Sequence, residues 1–289
     1  MTIRIYTKEY AGMLQNIFAT KQKFLRTFGG KLQVKDGIKN KDTFMELKVQ
    51  DTEAVIQDYK TDADIAFGAG TGNSSRFGER KEIIAVDADV KYEKPIAMNE
   101  GIDKMTVNDD FEATVADRME AQAIALTNYL NGLQSKALSD NAGKTLEGKL
   151  DEEGVNKVLN DAFKTLVNNK VASDLNKVAY VNADVYNILM DSKLATSAKG
   201  STVNIDGHEL PLHKGFAIEL LPDDLFQEGE QIIFAVDNVG VVGLGIEVFR
   251  TVESEDFAGT SVQFAGKYGK YIPEKNNKAI IKAKLTPAV

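Results

Sequence analysis

Gly68, Gly70 and Gly72 stand at alternate positions in the segment Phe67 to Gly78, a spacing that suggests phosphate chemistry. Glycine-rich turns let backbone N–H groups close on a pyrophosphate when a helix starts directly after them. Here the next segment, Glu82 to Tyr92, alternates as a strand does, and no Gly-Lys-Ser/Thr occurs. The run is therefore the flexible tip of a loop. His208 and His213 are the only two histidines. On extended backbone their odd separation sends them to opposite faces, which argues against a shared metal. Cysteine is absent, which removes a thiol nucleophile, a thiolate metal site and any disulfide. No Gly-x-Ser-x-Gly elbow exists, so a hydrolytic triad would have to use one of those two histidines, and neither lies in a recognisable motif. Both are read as surface or turn residues. Asp87 and Asp89 share one strand face opposite Val86, Ala88 and Val90, as a solvated face requires, while Asp62 with Asp64 and Asp223 with Asp224 sit near turns. None of these pairs has the spacing of a calcium loop. The expectation is a chain without catalytic residues, cofactor or metal.

The elements that would position any site come next. With 289 residues and 43% hydrophobic content, the chain can bury a core without staples. The segment Met1 to Tyr10 has no apolar run behind its charges, and nowhere do 18 apolar residues follow one another, so a soluble, unexported chain with no membrane partner is expected. A net charge of -8 opposes sequence-independent nucleic-acid binding by the body. The charge is unevenly spread. From Met1 to Lys41 nine Lys or Arg face two acids, a net of +7, which leaves -15 for the remainder. A basic leader on an acidic body can dock on the body of a neighbouring copy or on nucleic acid.

Within that leader Tyr6, Tyr10, Met13, Leu14, Ile17, Phe18, Phe24, Leu25 and Phe28 recur with helical period, and Gly29-Gly30 supplies a stop. Burying Ile17, Phe18, Phe24 and Phe28 contributes on the order of 6 to 12 kcal/mol as an upper bound. A lone helix of this length is marginal in water, so the arm is expected to order only against its own body or another copy. From Asp42 the period becomes two, through Phe44 to Val49 and Ala54 to Tyr59, and returns over Glu82 to Tyr92. This predicts a long hairpin whose strands reach roughly 40 Å and project. Pro95 ends the run. Asn108, Asp109 and Asp110 can cap a helix from about Phe111 to Ser139, whose stripe is Phe111, Val115, Met119, Leu126, Leu130, Leu133 and Ala137. At 1.5 Å per residue it is roughly 40 to 45 Å long, a spine. The polar stretch Asp140 to Gly148 closes it, and a second amphipathic helix runs through Val155 to Val167. Mixed helix and strand segments follow, among them Val178 to Val181, a hairpin turned by Asp206-Gly207, Gln231 to Asp237 and an alternating tail from Ile246 to Leu285. The layout is α+β, with no internal repeat.

The order of parts, basic arm, hairpin, spine helix, mixed centre and returning sheet, resembles the major capsid proteins of tailed bacteriophages with the Hong Kong ninety-seven fold. Local phrases carry the resemblance: Tyr180-Val-Asn-Ala-Asp-Val-Tyr186, Gly215-Phe-Ala-Ile218 before Leu221-Pro222, and Asp256-Phe-Ala-Gly259 through Gly266 to Pro273. It covers essentially the whole chain. The resemblance implies an N-terminal arm over residues 1–34 and an extended loop over 35–95. It implies a peripheral domain with the spine helix over 96–170 and 251–289, and an axial domain over 171–250. The implied function is a structural, non-enzymatic subunit that assembles through pentamers and hexamers into an icosahedral shell around double-stranded DNA. Its implied place is the virion, after synthesis in the host cytoplasm. Implied partners are further copies of the chain, a portal, packaged DNA bound without sequence specificity and, since the arm begins at Met1, a separate scaffolding protein. The residues expected to make assembly contacts are Tyr10, Ile17, Phe24, Phe28, Gly68, Gly70, Gly72, Arg76 and Phe77. The Lys, Asn and carboxylate trio of crosslinking relatives has no residue-by-residue match, so no crosslinking is expected. Two other readings are an encapsulin-like nanocompartment shell and a nucleotide-binding metabolic enzyme using the glycine loop.

Overall fold

The computed structural model describes residues 3–36, 43–50, 54, 56–61, 76–77, 82, 85–106, 111–192 and 210–287. The chain divides into two units, residues 1–41 with 92–289, and residues 42–91. In the first unit the leader forms β1 (Ile3–Ile5), α1 (Thr7–Lys21) and β2 (Gln33–Asp36). The second unit supplies β3 (Thr43–Gln50) and β4 (Ala85–Lys91). The first unit resumes with β5 (Pro95–Asp103), the spine helix α2 (Phe111–Asp140), β6 (Lys144–Leu150), α3 (Glu152–Asn168), β7 (Lys177–Val181) and α4 (Ala183–Asp191). It closes with β8 (Leu212–His213), β9 (Phe216–Leu220), β10 (Glu230–Val236), β11 (Val241–Glu253), β12 (Gly259–Tyr271) and β13 (Ile281–Pro287).

One sheet is built on the long antiparallel pair β11 and β12, in the order β1-β11-β12-β5, with β2 lying parallel on the same edge of β11 as β1. Its inner face presents Phe249, Val262, Phe264 and Tyr268 to α1 and α2, whereas Val248, Arg250, Ser261 and Gln263 on the other face stay half-exposed. This is the usual arrangement of an antiparallel sheet with one solvated side. The second sheet, in the order β6-β13-β10-β7-β9-β8, is covered on both sides. Ala179, Val181, Phe216, Ile232 and Phe234 meet α3 and α4, while Val178, Tyr180, Ile233 and Ala235 join the core under α2 and the leader. Burial on both faces explains why its central strands read as nearly unbroken apolar runs.

α2 buries Val115, Met119, Ala123, Leu126, Leu130 and Ala137, at steps of three, four and seven, as its stripe predicts. α3 starts where the Asp151 carboxylate accepts the Gly154 N–H at 2.7 Å, with Glu152 and Glu153 in the first turn suiting its dipole. Three expectations differ from the structure. The leader helix, predicted to run to Phe28, stops at Lys21, because the Lys23 N–H donates to Asn131 Oδ1 at 3.1 Å and the Gln22 amide pairs with Gln134. Side chains of the spine thus take the backbone out of the helical ladder, and a run of turns continues to Gly29 and Gly30, whose φ of 80° and 74° suits residues without a Cβ. Pro95 starts a strand instead of only ending one, since the first residue of a strand need not donate to the ladder. The polar stretch after the spine contains β6, which pairs in parallel with β13 and buries Leu146.

In the second unit β3 and β4 pair antiparallel from Thr43 and Lys91 to Gln50 and Ala85. Residues 56–61 carry no strand assignment. Even so, the Lys60 N–H donates to Arg76 O at 3.0 Å, within one residue of the register continued from β3 and β4. The two limbs therefore stand opposite each other at Lys60 and Arg76 as well as in the strand pair.

Candidate assembly surfaces

The leader is bound to its own chain at both ends. At its start the Tyr6 N–H donates to Phe249 O at 3.0 Å, and the Phe249 N–H donates to Thr7 Oγ1 at 3.2 Å. One turn later Tyr10 stacks on Phe249, centroids 4.1 Å apart and planes 8° from parallel. At its end Phe24 packs on Tyr180 at 4.7 Å and Thr27 Oγ1 shares a 2.6 Å hydrogen bond with the Tyr180 hydroxyl. Arg26 Nε donates to Asp237 Oδ1 at 2.8 Å, with Glu219 also within ion-pair range. The hydrogen bond to Asp237 raises the Arg26 pKa further, so the guanidinium stays charged. Of the leader residues expected at assembly contacts, Tyr10, Phe24 and Phe28 lie wholly inside this core, and Ile17 packs half-buried against it. Of the two possibilities open to the arm, packing on its own body is the one in this structure.

Burial also pushes the Tyr10, Tyr180 and Tyr268 phenols well above the ordinary tyrosine range, so none of them ionises near neutrality. The spine is tied to both sheets by polar contacts. Arg118 forms a forked pair with Glu100 on β5, Nη2 to Oε1 at 2.6 Å and Nε to Oε2 at 3.0 Å, and Gln122 adds a third donor at 2.9 Å. The hydrogen bond from Arg118 holds the Glu100 carboxyl below its usual range, with Gln122 helping and partial burial opposing. Farther along, Ser139 Oγ donates to the buried Glu230 carboxylate at 2.6 Å, and Lys282 reaches the same oxygen at 2.9 Å.

In the second unit Phe77 is largely exposed and meets Tyr59 edge-on at 5.3 Å; Ile56 is almost fully exposed. Arg76 is half-buried. The expected contacts Gly68, Gly70 and Gly72 lie outside the described residues, as does His208. His213 is buried, 3.4 Å from Asn156 Oδ1, and burial followed by the neighbouring Lys214 charge lowers its pKa. A neutral, enclosed imidazole of this kind is a packed side chain. Asp87, Asp89, Asp223 and Asp224 are all exposed. Among the described residues no group of three or more His, Cys, Asp or Glu is placed to hold a metal ion, and no helix is long and apolar enough to cross a membrane. What the surface offers is strand edges, exposed apolar residues and uneven charge.

No protein-family model and no curated protein matches the sequence. Solved structures do match the fold. A chain of the bacteriophage PhiM1 mature capsid is 10% identical with a TM-score of 0.64, over 90% of this chain and 87% of that one. A chain from Mycobacterium phage Che8 is 14% identical with a TM-score of 0.61, over 84% of this chain and 85% of its own. A virus-like particle from Pyrococcus furiosus gives 12% identity and a TM-score of 0.53, over 96% and 99% of the two chains. At these identities the likeness is one of fold: this chain folds as phage capsid chains do.

Proposed function

We propose that this chain is the structural subunit of an icosahedral capsid, assembling through pentamers and hexamers around double-stranded DNA. The observation that carries the reading is the fold match to the PhiM1 mature capsid, which spans 90% of the chain and so is not confined to one common motif. The physical features suit the role. A shell repeats modest contacts many times, so its subunit needs edges and arms that meet neighbours more than it needs a pocket. In this reading residues 1–34 are the arm and 35–95 the loop that crosses a neighbour, with Arg76 and Phe77 at contacts. Residues 96–170 with 251–289 form the peripheral domain, and 171–250 the axial domain at the symmetry axes. A scaffolding protein and a portal complete the partners, and the site of action is the virion. The phage capsids among the structural matches favour this over an encapsulin-like compartment.

The test is negative-stain electron microscopy of the purified protein, expressed with and without a candidate scaffolding protein, followed by nuclease treatment of any particles. Hollow uniform shells, or rings of five and six subunits, are expected; virions would protect genome-length DNA from nuclease. A small compact oligomer under both conditions overturns the reading, and shells that hold a cargo enzyme in place of DNA would favour the compartment.

A further inference from the structure

The outer edge of β5 is a nine-residue strand edge with which no strand among the described residues pairs. Two hydrogen bonds fix which of its backbone groups turn outward. The Lys104 N–H donates to Ala258 O at 3.0 Å, directly across the ladder, so even-numbered residues of β5 spend their N–H and C=O groups on β12. On the far side of β12 the Ser254 N–H donates to Gly259 O at 2.9 Å, which assigns the odd-numbered residues of β12 to β11 and leaves the even ones for β5. Both bonds give the same phase. Ala97, Asn99 and Gly101 therefore aim their N–H groups away from the sheet, and their side positions lie on the exposed face.

Natural sheets guard such edges with lysines, bulges or prolines. This edge has Pro95 at its first residue only, contains Glu100 and Asp103 and no base, and runs in register without a bulge. At Gly101, where a Cβ would stand 2.7 Å from the Phe257 ring, the aromatic ring takes the place of the missing side chain.

At the opposite end of the same sheet lies the leader. β1 pairs with Arg250 to Val252 and β2 with Gly243 to Ile246, so together they pair with seven residues of β11. The Tyr6 N–H bond to Phe249 O puts Arg4 in the bonded phase and turns the backbone of Ile3 and Ile5 outward; Ile5 is 71% exposed. The two strands that make this edge carry Arg4, Lys35 and Asp36, a net of +1. One sheet thus has an edge of net positive and an edge of net negative charge.

We infer that β5 of one copy receives the leader edge of a second copy, continuing the sheet from subunit to subunit. The contact is heterologous, head to tail, and such contacts close into rings when the rotation allows. It rests on the shell reading above and names the surfaces that reading leaves open. The signs suit this partner: Arg4 and Lys35 lie on the leader edge and Asp103 on β5, whereas an isologous contact of two β5 edges would offer Asp103 no opposite charge.

Two variants test it. Asn99→Pro removes an outward N–H, a position where an edge strand accepts proline, so the subunit should keep its circular dichroism and melting profile while losing shells. Independently, the cysteine-free background allows a size-tagged Asn99→Cys copy to be co-assembled with an Ile5→Cys copy and oxidised. A reducible tagged-to-untagged crosslink in several-fold excess over either homotypic product is expected, and this readout stands even if Asn99→Pro fails to fold. Normal shells from a folded Asn99→Pro protein, a dominant crosslink between two tagged Asn99→Cys copies, or no crosslink within intact shells would each overturn the inference and leave the shell reading standing. Absence of shells from the unmodified protein with its scaffold would instead sink the shell reading itself.

Discussion

Among single residues, Glu230 has the most at stake. Its side chain is 1% exposed, and its charge is met by Lys282 and by the hydroxyl of Ser139. Removing one partner of a buried pair leaves the other uncompensated, which costs about 3 to 5 kcal/mol. Lys282→Met should lower subunit stability by that amount in urea unfolding of unassembled protein. Glu100 and Arg118 form the opposite case, both side chains a third or more exposed, so the pair is expected to contribute only about 0.5 to 1 kcal/mol. Because the Glu100 carboxyl sits below its ordinary value of 4.5, this contribution is present above that pH and is lost as pH falls through the lowered value. Glu100→Gln should remove that part of the acid sensitivity, seen as a shallower fall in urea midpoint below pH 4.5. The sequence marks neither residue, since each is one acid among many and its partner lies far away in the chain. The exposure of Asp87 and Asp89, by contrast, is legible from their alternation with apolar neighbours.

At the scale of elements, what can be read from sequence is whatever buries a periodic stripe by itself. The stripe predicts a spine from Phe111 to Ser139, and α2 runs Phe111–Asp140 because its apolar positions recur along one face. β6 escapes such a reading because only Leu146 among Lys144 to Leu150 is buried, so the segment has no pattern of its own and is a strand only by virtue of β13. The leader shows both effects. Tyr10, Leu14 and Phe18 are buried as the period requires, but the helix ends early because Asn131 and Gln134 of the spine capture the backbone and side chain after it. Of the expected contact residues in the leader, the aromatic ones are core, since periodicity signals burial without saying whether the covering surface belongs to the same chain. Phe24→Ala should therefore destabilise the isolated subunit by about 3 to 5 kcal/mol, measured by denaturant unfolding before any assembly. A change confined to assembly, with an unchanged midpoint, would contradict the placement of Phe24 against Tyr180.

For the molecule as a whole, the pairing of the leader with β11 joins residues 3–36 to residues 241–253. That separation sets an order of events on the ribosome. At 5 to 20 residues per second, translation needs on the order of 10 to 40 s to go from β2 to the end of β11. For that interval Tyr10 lacks Phe249 and Phe264, the rings it packs against, so part of the leader's apolar face has no cover. A chain stopped after residue 240 should accordingly leave Ile3 to Tyr10, whose partners lie on β11, more open to limited proteolysis than they are in the full chain. Nor can a partly made subunit present both edges of its first sheet, because β11 and β12, which carry them, are the last strands of that sheet to emerge. In the shell proposed above, the chain would become competent to join others only once β11 and β12 have been made, so the timing of synthesis alone would keep shorter polypeptides out.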